Sequence, residues 1–147
     1  MSIDEKKKLL ALHRLQQAAE SLQEAQYLFA GRKSLRSVVN RIYYGMFYAV
    51  LALLIYEPYA SSKHSGVLAY FNKHFVKDGL FSESLGRSLN KAFELRQRGD
   101  YREYFELTKD QVEPLLDEAA QFVGSVRKYL DENVGLAQQN QEGDGQE

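Results

Sequence analysis

The 147-residue chain contains no cysteine, only two prolines and only three histidines. Without cysteine, neither a disulfide framework nor a thiolate metal site can be built. His13, His64 and His74 each lack a glutamate three residues earlier, so the Glu-x-x-His pair of di-iron bundles is missing. No His-x-x-x-His pair is present for zinc, and we expect neither a metal nor a cofactor. Both common phosphate-cradling patterns, G-x-G-x-x-G and the Walker-type lysine loop, are absent. No serine or threonine stands beside a partnering base, which argues against a triad hydrolase.

Long apolar runs are lacking as well. The longest uncharged stretch covers residues 42–56, short of the roughly 18–20 residues needed to span a bilayer. The charged start MSIDEKKKLL does not read as a signal peptide. We therefore expect no membrane association and a cytoplasmic location.

What the chain has is helical periodicity. Residues 3–30 place Leu9, Leu12, Leu15, Ala19, Leu22, Ala25 and Tyr27 on one stripe. Gly31 is the expected stop and Ser34 the next N-cap. A second helix is expected over about 35–56, apolar all round in its later part. A third should start near Ser62 and stop at Asp78-Gly79, and a fourth should run from Ser82 or Ser84 to Arg98. A fifth begins near Thr108, where TKDQ resembles a capping box, with Pro114 predicting a kink or a later start. The fold class is thus all-α, an antiparallel up-and-down bundle of four to five helices over residues 1–134. Residues 135–147 read as a disordered polar tail.

A net charge of −1 conceals an uneven distribution. Residues 1–31 are balanced, residues 32–102 sum to +7, and residues 103–147 sum to −8. Such a basic middle can attract a polyanion, unless the acidic last helix packs beside it and cancels it.

Three stretches carry candidate chemistry. In RIYYGMFYAV, residues 41–50, helical geometry puts Arg41, Tyr44, Gly45, Tyr48 and Ala52 on one face. That face can hold a ligand or a partner, with Gly45 permitting close approach, or it can be core with Arg41 snorkelling at its edge. SSKHSG, residues 61–66, puts Lys63 and His64 at a helix N-terminus, where free N–H groups favour phosphate. An ordinary serine cap would look the same. In ELRQRGDY and the arginine after it, Arg96, Arg98 and Arg102 can contact phosphates and Tyr101 can stack on a base. Arg96 can equally pair with Asp100 along the helix surface.

The succession NRIYYGMFYAVLALL, KHSGVLAYFNKHFV and LNKAFELRQRGDY resembles the HEPN family, and most of all its small stand-alone prokaryotic members. The likeness covers residues 35–130. It implies a helical bundle, usually a homodimer, often encoded beside a minimal nucleotidyltransferase as a toxin–antitoxin-type pair. Active members are metal-independent ribonucleases with an arginine and a later histidine separated by four to six residues. Arg41 matches that arginine and Asn40 the polar residue before it, but the histidine positions hold Met46, Phe47 and Tyr48. An unperturbed tyrosine, with a pKa near 10, is a poor general base.

Three readings follow from that departure. The first is a dimeric protein binding RNA or nucleotides through Arg41, Asn40, Tyr44, Tyr48, Lys63, His64, Arg96 and Tyr101. The second is a surviving ribonuclease using Arg41 with Tyr48 or His64. The third is a protein-interaction partner of a nucleotidyltransferase.

Overall fold

The computed structural model describes residues 1–101 and 106–136, and the described residues are helical with no strand. Helix α1 spans Ile3–Ala30, α2 Leu35–Leu54, α3 His64–Phe71, α4 Glu83–Gly99 and α5 Lys109–Val134. A short π-helical segment, Asn72–Val76, continues α3.

Local chemistry sets most of these boundaries. Ser2, Ser34, Ser82 and Thr108 cap α1, α2, α4 and α5 by accepting from the backbone N–H three residues on. Thr108 and Gln111 form a reciprocal capping box. Helix α5 starts at Lys109 and passes through Pro114, so the later start that the proline suggested is not adopted. Gly135 ends α5 in the left-handed region at φ 68°. Beyond it, Leu136 is buried against the core. Residues 137–147, most of the expected tail, lie outside the described residues, as does Arg102.

Two boundaries differ from expectation. Helix α2 ends at Leu54 rather than near 56, closed by a turn in which Tyr56 N–H donates to Leu53 O and Glu57 N–H to Leu54 O. Helix α3 begins at His64, and its last part widens. Lys77 N–H donates to the carbonyl of Asn72, five residues back, at 2.8 Å. Asn72 anchors this segment through Nδ2, which donates to Leu68 O at 2.9 Å and Asn90 Oδ1 at 3.0 Å.

Helix α2 is the hub of the bundle, packed on α1, α4 and α5. Its large buried side chains include Ile42, Tyr43, Met46 and Leu53. The four-residue connection 31–34 makes α1 and α2 an antiparallel hairpin. Gly45 belongs to this contact. A Cβ there would stand 2.6 Å from Leu22 Cδ2 and 3.3 Å from Ala18 O, so α1 is what approaches it. Gly45 and Ala52 therefore turn inward, and the outward face of α2 is carried by Arg41, Tyr44 and Tyr48. Among the described residues α2 alone is long and apolar enough to cross a membrane, and 67% of its apolar 18-residue window is buried inside the bundle, as suits a core helix.

A second aromatic layer joins α3 to α5. The Phe71 ring lies 5.4 Å from Phe122 and 5.7 Å from Phe81, and Phe81 lies 5.3 Å from Tyr129. This layer holds α3, and with it the helix start that carries His64.

Candidate nucleic-acid interface

Three helices bring the site together. Helix α2 supplies Arg41, Tyr43, Tyr44, Phe47 and Tyr48, the start of α3 supplies His64, and the last turn of α4 supplies Arg96. Tyr44 is the junction. The Arg41 guanidinium carbon lies 5.4 Å from its ring centre and that of Arg96 lies 5.2 Å away. The two cations are thus no farther apart than the sum of those distances. The Tyr48 ring lies 5.8 Å from Tyr44, which links it to the same group.

Arg41 is oriented by two polar neighbours. Its Nη2 donates to Asn40 Oδ1 at 2.9 Å, and Nη1 stands 3.6 Å from Glu24 on α1. With 29% of the side chain exposed, it is neither core nor free surface. Arg41 and Asn40 also line a shallow depression with Leu28, Arg36 and Ser37.

Arg96 does not pair with Asp100. Asp100 is taken by Arg36, whose Nη2 donates to it at 2.8 Å, while Arg96 turns inward. Its guanidinium packs on Tyr43 and Tyr44, both at 5.2 Å, and Nη2 donates to the Tyr44 hydroxyl at 3.3 Å. Its Nε is enclosed with no acceptor among the described residues. Arg96 and exposed Tyr101 line a common open depression with Gln97, Arg98 and Asp100. None of the ion pairs among the described residues uses a carboxylate of α5, so direct pairing does not cancel the basic middle there.

His64 joins the cluster through its ring. It stacks on Phe47 at 4.2 Å and meets Tyr44 edge-on at 5.8 Å. Its Nδ1 lies 2.9 Å from the Tyr43 hydroxyl. Burial first, and then the Arg96 guanidinium, hold the imidazole below its usual pKa of 6.5. The neutral ring is therefore favoured near pH 7. An NMR pH titration should place the His64 midpoint below 6.5, and Arg96→Met should move it upward by removing a nearby positive charge. A midpoint at or above 6.5 in the wild type would contradict this arrangement. The sign for stability follows directly. The unfolded chain binds the proton more readily, so His64 contributes stability above about pH 6.5 that is lost as the pH falls through its folded value.

Lys63 is the N-cap of α3, exposed, with its backbone N–H donating to Ser61 Oγ at 3.1 Å. It flanks His64 without entering the aromatic cluster. Tyr43 was absent from the sequence-based candidates, because two positions after Arg41 it falls on the buried side of α2. The available signal was its hydroxyl, which a buried tyrosine has to satisfy. Burial raises the Tyr43 phenol well above its usual value of 10, only partly offset by Arg96. Among the described residues no three His, Asp or Glu side chains gather as a metal site.

Chemically, the arrangement offers two guanidiniums, an imidazole and the rings of Tyr44 and Tyr48 at a half-exposed surface, backed by the buried rings of Tyr43 and Phe47. Cations and ring faces together suit phosphates and bases. The chain is 40% identical over 130 residues to a UPF0332 protein of Thermotoga maritima, covering 88% of this chain and 97% of that one. Two proteins of Methanocaldococcus jannaschii, each named "Putative toxin", are both 36% identical to it. One match covers 79% of this chain and 78% of the relative, the other 78% and 84%. The model of the HEPN domain matches residues 11–129, which span every element of the site. The chain belongs to the HEPN domain family.

Proposed function

We propose that this protein is a toxin-like HEPN protein that binds RNA or a nucleotide at the Arg41–Tyr44–Arg96–His64 cluster. The observation that carries this reading is the convergence of Arg41 and Arg96 on one tyrosine ring from two different helices. The toxin character is extended from the names of the two archaeal relatives. We further infer a homodimer formed through the α2 region, paired with a minimal nucleotidyltransferase in a toxin–antitoxin-type couple. Lys63 and Tyr101 extend the surface along the bound strand, and Asn40 holds Arg41 in place.

The test is a titration with single-stranded RNA at several salt concentrations. Affinity should fall steeply with salt, with a log–log slope of about −0.7 per phosphate contacted. Absence of binding even at low salt would remove the nucleic-acid reading.

The position of His64 favours a second reading, a metal-independent ribonuclease. No histidine follows Arg41 within its own helix at the motif spacing, yet His64 reaches the cluster from α3. Cleavage of RNA in EDTA that disappears in both Arg41→Ala and His64→Ala would support it. If the wild type is inert and Tyr48→His cleaves, the cluster is a binding site that lacks only its base.

A further inference from the structure

Tyr43 is fully buried, and its hydroxyl makes one hydrogen bond among the described residues, with His64 Nδ1 at 2.9 Å. Around it stand the rings of Tyr44, Phe93 and Phe47, with centres at 5.4, 5.5 and 5.7 Å. The Arg96 guanidinium caps the same ring and can only donate, and it gives its Nη2 to Tyr44. A phenol carries one proton that needs an acceptor. Among the described residues the acceptor on offer is the Nδ1 lone pair. Were Nδ1 protonated instead, the Tyr43 O–H would be buried without a partner, which is unfavourable.

We propose that Tyr43 is a positioning residue which, by donating to Nδ1, locks neutral His64 in the Nε2–H form. The site then presents a neutral N–H donor to an oxyanion, a phosphate oxygen of RNA or nucleotide, beside the two arginines. The Phe47 stack fixes the plane of the imidazole, and Nε2 lies across that ring from the nitrogen Tyr43 holds. Nε2 makes no hydrogen bond with any described residue, so its proton is available to a ligand. The high pKa of the phenol keeps Tyr43 a donor throughout the physiological range. In this form Nε2 has no lone pair with which to take a proton from a ribose 2′-OH. His64 serves as a hydrogen-bond donor, and Tyr43 makes it one. The identity of the ligand rests on the function proposed above; the tautomer does not.

The experiment is a long-range proton–nitrogen correlation spectrum of the ¹⁵N-labelled full-length protein, without ligand, near neutral pH. Nδ1 of His64 should resonate as an unprotonated nitrogen and Nε2 as a protonated one. Tyr43→Phe keeps the ring and removes the donor, so its two nitrogen shifts should move toward each other as the tautomers mix. A wild-type spectrum with the proton on Nδ1 overturns the proposal, as does an unchanged His64 pattern in Tyr43→Phe.

Should Tyr43→Phe fail to fold, amide mimics decide the same point in RNA binding. His64→Gln places an N–H near Nε2 and should bind within about threefold of wild type, whereas His64→Asn should lose about tenfold, one hydrogen bond's worth. The reverse order refutes the assignment. If wild type binds no RNA, the function proposed above fails while the tautomer spectrum still tests the lock.

Discussion

Arg96→Ala should weaken single-stranded RNA binding by roughly 10- to 150-fold, the range of a charge-assisted hydrogen bond worth about 1.5–3 kcal/mol. The effect is large because Arg96 acts twice. It supplies a cation, and its planar guanidinium holds the Tyr43 and Tyr44 rings from one side while donating to the Tyr44 hydroxyl. Its Nε is enclosed, with no acceptor among the described residues. Arg96→Lys separates the two contributions, since lysine keeps the charge but loses the planar stack. We expect Arg96→Lys to recover the salt dependence and only part of the affinity. Fluorescence anisotropy at two ionic strengths measures both. Arg96→Ala should also flatten the salt slope by about 0.7 if one phosphate contact is lost. Affinity within twofold of wild type would exclude Arg96 from the site.

Phe122→Ala should destabilise the protein by about 3–5 kcal/mol, the cost of emptying a buried phenylalanine site. For a chain of this size that corresponds to a fall in Tm on the order of 10 °C. Phe122 has no solvent exposure, and it comes from α5 to meet Phe71 of α3 at 5.4 Å. Phe71 in turn meets Phe75 and Phe81, so one ring ties the last helix to the short central one. Collapse around the vacancy is resisted because α5 also packs on α1, α2 and α4. Phe122→Leu keeps most of the volume and should cost much less. Thermal melts followed by circular dichroism would show this directly, and a loss below 1 kcal/mol in Phe122→Ala would mean that α5 does not seal the core there.

The starts of α2, α4 and α5 were legible because they rest on local chemistry, whereas α3, expected near Ser62, begins at His64 without a side-chain cap. Ser34, Ser82 and Thr108 each satisfy backbone N–H groups within their own first turn. The π-helical segment was not legible, because its anchor runs from Asn72 to Asn90 on another helix. The partner of Arg41 was recoverable in principle. In an antiparallel hairpin, residues equally distant from the turn face each other, and Glu24 and Arg41 are equidistant from the centre of 31–34. Ala18 and Leu22 likewise bracket the position opposite Gly45. Periodicity put Arg41, Tyr44 and Tyr48 on one face correctly, but counted Gly45 and Ala52 with them because it cannot tell which edge of that face meets α1. The meeting of His64, Tyr43 and Arg96 was beyond reach, since it depends on how α3 and α4 cross α2. Helical spacing alone left Arg96 free to pair with Asp100, and only the approach of Arg36 from α2 resolves that choice.

The account holds that Arg41, Tyr44, His64 and Arg96 act as one site for a phosphate-bearing ligand. A titration of the labelled protein with a single-stranded RNA oligonucleotide at low salt, following side-chain resonances, tests this most directly. Signals from the Tyr44 and His64 rings and from the Arg41 and Arg96 Nε groups should move together and saturate at one common midpoint. Shifts confined to other surfaces, or separate midpoints for Arg41 and Arg96, would contradict it.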